Sequence, residues 1–140
     1  MDGRTISISA PRGAFDAYLT KSASGAGPGL ILLPEGLAVT TQVRELADFY
    51  AEEGYVVLAP SLQLRAVGCG DRRELDIDRM IGGVASAIAA LHGNSACTGK
   101  VCALGFCLGG TIACQAMASL PDSADYHLAV ISDIFYSLVN

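Results

Sequence analysis

The sequence lacks any basic run, and its charge is low overall. Nine Lys and Arg stand against fourteen Asp and Glu, which gives a net charge of -5 at pH 7 and a pI near 4.8. Because a chain that binds nucleic acid usually carries a basic stripe, no nucleic-acid partner is expected. Charged residues make up only 16% of the chain and apolar residues 51%, and this balance excludes intrinsic disorder.

Long apolar runs are also missing. No stretch of the sequence reaches the ~18 consecutive apolar residues that span a bilayer. The first five residues lack the apolar run of a signal peptide. We therefore expect no membrane partner and a cytoplasmic location.

The five cysteines contain no C-x-x-C pair and their number is odd, so neither a disulfide framework nor a zinc site is expected. Cys97, Cys102 and Cys107 are numerous enough for a zinc site, but they lack the C-x-x-C spacing that is typical of one. Cys102 and Cys114 are expected in the core, as small apolar residues. This usage fits a reducing compartment, and we expect no metal and no cofactor.

What the sequence does contain is an alternation of short apolar runs and helical patterns. Residues 5–10 and 14–20 flank a Pro-Arg-Gly turn and predict an antiparallel hairpin, and the glycine-rich residues 25–29 predict a loop. Further strands are predicted at residues 30–33, 55–59, 100–104 and 128–134, and helices at residues 41–53, 76–92 and 108–120. Residues 1–140 therefore predict one α/β domain, a three-layer doubly wound, mostly parallel sheet.

The most specific motif is Gly105-Phe106-Cys107-Leu108-Gly109, which lies where a predicted strand turns into a helix. It has the G-x-C-x-G pattern of a nucleophile elbow, with cysteine in the place of serine. Glycines are needed there because side chains two positions from the apex would clash in so sharp a turn. We therefore predict that Cys107 is a nucleophile, the alternative being a small buried cysteine at a tight turn.

Two further groups are predicted at the same place, because ligands of such sheets bind outside the carboxyl ends of the strands. Glu35 and Gly36 follow one buried strand, as Cys107 follows another. The backbone amides of Leu108 and Gly36 could converge there as an oxyanion hole, which suits acyl transfer. The alternative for Glu35 is a solvated loop carboxylate.

A third strand is followed by a loop with three arginines, Arg65, Arg72 and Arg73. A guanidinium at this edge is suited to hold a carboxylate of the substrate. The alternative is that these arginines are solvated loop charges. The sequence leaves open which of the three contacts substrate.

The chain resembles the dienelactone hydrolase family (carboxymethylenebutenolidases) of the α/β-hydrolase fold. The matching residues are Pro34-Glu35-Gly36, Glu53-Gly54-Tyr55, Ala59-Pro60 and above all Gly105-Phe106-Cys107-Leu108-Gly109-Gly110. The resemblance implies hydrolysis of an ester or enol-lactone through a thiol ester on Cys107, with Glu35 in contact with the resting cysteine and taking part in its activation. It covers nearly the whole chain, but only the N-terminal part of a family member.

The resemblance also implies a Cys-His-Asp triad whose acid and histidine follow later strands. The two histidines present, His92 and His127, are both predicted at amino ends of strands, roughly 20 Å from the edge of Cys107. A general base must come within ~3 Å of its proton, directly or through one water, so neither is expected to serve within its own chain. The alternative to a hydrolase is a non-catalytic remnant or thiol-bearing binding protein. Its last strand would form an open apolar edge that favours self-association.

Overall fold

The computed structural model describes residues 3–11, 13–34, 38–62, 77–106, 108–119 and 126–131. The elements in chain order are β1 (Arg4–Ile8), β2 (Phe15–Thr20), β3 (Gly27–Leu33), α1 (Thr41–Glu52), β4 (Val56–Pro60), α2 (Ile77–His92), β5 (Cys97–Phe106), α3 (Leu108–Ser119) and β6 (Tyr126–Ile131). This order is the predicted one, with small shifts at the ends of the elements.

The described strands form one six-stranded sheet in the order β1-β2-β4-β3-β5-β6. The pairs β1–β2 and β2–β4 are antiparallel, whereas β4–β3, β3–β5 and β5–β6 are parallel. The predicted entry hairpin is therefore confirmed, and so is the mostly parallel sheet. Because β3 and β5 are adjacent and parallel, their carboxyl ends lie side by side.

Strand β3 shows why the sheet has helices on both faces. Leu30 and Leu32 belong to the core cluster that also contains Ala47 and Ala51 of α1. Their neighbours Ile31 and Leu33 belong to the opposite cluster, which includes residues of α2 and α3. A continuous apolar run of this kind is stable as a strand only when both faces are covered. Burial of each such side chain contributes about 1.5–3 kcal/mol.

Helix α1 covers one face of the sheet, and its start and end follow from single residues. The Thr40 side chain caps it by accepting a hydrogen bond from the Val43 amide at 3.3 Å. Gly54 ends it with a φ of 108°, in the left-handed region that favours glycine. Between these ends, Ala47 and Ala51 are buried against the sheet.

Helices α2 and α3 cover the other face and pack against each other. The face of α3 that packs inward holds Gly109, Gly110, Ile112, Ala113 and Ala116. The helix contains no charged residue. The expectation that Cys114 lies in the core is wrong, because this side chain is exposed on the side of α3 that turns away from the sheet. Cys102 is half-buried on the face that α1 covers.

The prediction of a loop over residues 25–29 is wrong for residues 27–29, since β3 already begins at Gly27, and it holds for residues 25 and 26. The Gly27 amide donates a hydrogen bond to the Ala96 carbonyl at 2.9 Å. The pairing with β5 then shifts register between Gly27 and Gly29, which is where Pro28 lies. A proline cannot donate to the ladder, and an irregularity of this kind accommodates it.

Candidate active site

The turn from β5 into α3 is as tight as the elbow motif predicts. Strand β5 ends at Phe106 and α3 begins at Leu108, so a single residue separates the two elements. A Cβ atom on Gly105 would lie 2.6 Å from the Cα atom of Gly110, and real Cβ atoms do not approach other atoms within 3.0 Å. The end of β5 therefore lies directly against the first turn of α3, and a side chain at position 105 would force the two apart.

The second glycine of the motif has its own contact. A Cβ atom on Gly109 would lie 2.7 Å from the carbonyl carbon of Leu33 and 2.8 Å from the carbonyl oxygen of Pro34. In the sheet, Leu33 is the register partner of Gly105. The end of β3, the end of β5 and the first turn of α3 thus meet backbone against backbone. This close approach requires glycine at both positions.

The first turn of α3 presents a positive electrostatic environment at this edge of the sheet. The first four amides of a helix have no partner within the helix, and the helix dipole adds partial positive charge there. The first turn of α3 carries no acidic residue that would offset it. Leu108 supplies the first of these amides, while its half-buried side chain packs against the core on the α2–α3 face. Such amides are suited to stabilise an oxyanion.

Of the predicted site residues, only Leu108 belongs to the part of the chain that the structure describes. The nucleophile Cys107, the loop residues Glu35 and Gly36, and the arginines Arg65, Arg72 and Arg73 lie outside the described residues. Their roles stay predictions.

Both histidines lie away from the carboxyl edge, as predicted. His92 is exposed and is the last residue of α2, before β5 begins. His127 pairs in register with Cys102, while the edge is at Phe106, opposite Ile131. Four residues of strand at ~3.3 Å each place His127 roughly 13 Å below that edge. The described fold therefore brings no histidine of the chain to the elbow.

A cleft of about 580 Å³ opens at the same edge, beside the start of β2 and the end of β4. Its polar lining consists of Asp16, Ser61, Asp78 and Arg79, and the Ser61 amide donates a hydrogen bond to the Asp16 carbonyl at 2.8 Å. No motif in the sequence marks these residues. They come together only in the fold, because the antiparallel pairing of β2 with β4 brings the β1–β2 turn to the carboxyl edge.

Among the described residues, no three His, Cys, Asp or Glu side chains are grouped so as to hold a metal ion. Cys97 packs against the core on the α2–α3 face and Cys102 against the core on the α1 face, so the sheet separates them. The described helices include none with the length and apolar character needed to cross a membrane.

Comparison with known proteins identifies relatives of the chain. Residues 15–132 match the model of the dienelactone hydrolase family. The chain is 28% identical over 121 residues to a carboxymethylenebutenolidase of Pseudomonas sp. (strain P51), an alignment that covers 76% of this chain and 51% of the relative. It is 27% identical over 126 residues to carboxymethylenebutenolidase 1 of Cupriavidus pinatubonensis, which covers 79% of this chain and 54% of that one.

Solved structures give the same fold. The α/β hydrolase GrgF from Penicillium sp. sh18 superposes with a TM-score of 0.74 at 20% identity, over 94% of this chain and 45% of that chain. The dienelactone hydrolase from Anabaena variabilis superposes with a TM-score of 0.68 at 20% identity, over 94% of this chain and 62% of that chain. The chain spans about half the length of the curated relatives that it matches.

Proposed function

Because the chain belongs to the dienelactone hydrolase family, we propose that it is a hydrolase that cleaves an ester or enol-lactone through a thiol ester on Cys107. The observation that carries this proposal is the pair of backbone contacts at Gly105 and Gly109. They hold β5, β3 and α3 in the arrangement that a nucleophile elbow needs, with one residue, a cysteine, between strand and helix.

The reaction has two stages. In the first, the thiol proton of Cys107 passes to a base, the sulfur forms a bond to the carbonyl carbon, and the bond from that carbon to the leaving oxygen breaks. The base then gives its proton to the leaving oxygen. In the second, water attacks the thiol ester, one water proton returns to the sulfur, and the carboxylic acid is released. The sum is one ester and one water giving one acid and one alcohol.

The remaining proposed roles follow from the positions of the residues in the sequence. Glu35 tunes the Cys107 thiol or takes its proton. The amides of Leu108 and Gly36 stabilise the oxyanion that forms on the carbonyl oxygen.

Arg65, Arg72 or Arg73 holds a carboxylate on the substrate. The substrate class is a small ester or lactone, which carries a carboxylate group if one of these arginines contacts it. No cofactor takes part in this scheme, and the cysteine usage favours the cytoplasm as its location.

The second candidate function is a non-catalytic, thiol-bearing protein that associates through its edge strand. The observation in its favour is that His92 and His127 both lie away from the elbow. Self-association through β6 belongs to both candidates, because β6 has a neighbouring strand on one side only in the described sheet.

Hydrolysis of p-nitrophenyl acetate by the purified chain tests the proposal. We expect turnover that is lost in Cys107→Ala, at least 100-fold, because removal of a covalent nucleophile leaves only the binding site and oxyanion amides. Cys114→Ala is the matched control, since this cysteine is exposed on α3 and outside the proposed machinery. Equal turnover in Cys107→Ala and the unmodified chain would show that the nucleophile is wrong.

A further inference from the structure

We draw no further inference here: the strongest candidate, the cleft between the β1–β2 turn and the first turns of α2, is lined by Leu62 and Asp78, on either side in sequence of residues 63–76, which lie outside the described residues, so nothing in the structure shows what covers it.

Discussion

The two ends of the sheet are built differently. At one end, β1 exposes Arg4, Thr5 and Ser7 and belongs to a hairpin. Exposed polar side chains of this kind blunt an edge strand and discourage pairing with another chain. At the other end, β6 carries the uncharged sequence YHLAVI and lies beside the uncharged helix α3. The described sheet therefore ends in a strand with exposed polar side chains on one side and in a strand of uncharged sequence on the other.

Contacts near the hairpin also differ in kind from those near the elbow. Near the hairpin, they are made by side chains: the Tyr18 hydroxyl donates to Asp48 Oδ1 at 2.8 Å, and the Arg44 guanidinium lies 5.5 Å from the centre of the Tyr18 ring. Near the elbow, they are made by backbone atoms around Gly105 and Gly109. Backbone contacts cannot relax around an added atom, whereas partly exposed side chains can. Substitutions should therefore cost more at the elbow.

The largest effect is expected for Gly109→Ala. The new methyl group would overlap the carbonyl groups of Leu33 and Pro34, so the first turn of α3 must move away from β3. Because both contacts are with backbone atoms, we expect a loss of about 3 kcal/mol in the free energy of unfolding, the upper end of the usual range for an overpacked site, measured by urea denaturation.

Gly82→Ala is the control for Gly109→Ala, because a Cβ atom on this helical glycine meets nothing within 4 Å. It should stabilise the protein by up to about 1 kcal/mol, since alanine is the better helix former. Similar losses in both variants would mean that the elbow is not tighter than an ordinary helix.

A matched pair of isoleucines should give the next largest difference. Ile31 is fully buried at the centre of β3, so Ile31→Ala should cost about 2–5 kcal/mol. Ile6 packs against the same core cluster from β1, but is only partly buried, and Ile6→Ala should cost less than about 1.5 kcal/mol. Equal values in thermal or urea unfolding would remove the distinction between the centre of the sheet and its hairpin end.

The smallest effect is expected for Tyr18→Phe, which removes the hydrogen bond to Asp48. The loss near pH 7 should be about 0.5–1.5 kcal/mol. Burial, and next the bond to Asp48, raise the pKa of Tyr18 above 10.0. The folded chain thus keeps this proton after the unfolded chain releases it, so the stabilisation is present below pH 10 and declines as the pH rises above it.

Unfolding curves at pH 9 and pH 11 check the pH dependence. The unmodified chain should lose more stability between these two values than Tyr18→Phe does. The same loss in both proteins would show that Tyr18 does not titrate differently in the folded chain.

The order of elements could be predicted because each one carries a local pattern. The apolar run of β3 and the periodic face of α2 are readable within a few residues of sequence. Residues 25–29 misled the prediction because a glycine- and proline-rich stretch reads as a loop. The strand there depends on its pairing with residues from Ala96 onward, which are remote in sequence. Cys114 misled it because composition does not say which side of an apolar helix is left uncovered.

Local patterns in the sequence indicated the family, the α/β architecture and the elbow, because Gly105 and Gly109 have the spacing of a strand-to-helix turn around one residue. They also indicated that the two histidines lie away from Cys107. Which strands are neighbours, and in what register, is known from the three-dimensional fold. That register makes His127 level with Cys102, and makes β6 an end strand of the described sheet. Strand order and register arise from contacts between residues far apart in the chain, so no local pattern contains them.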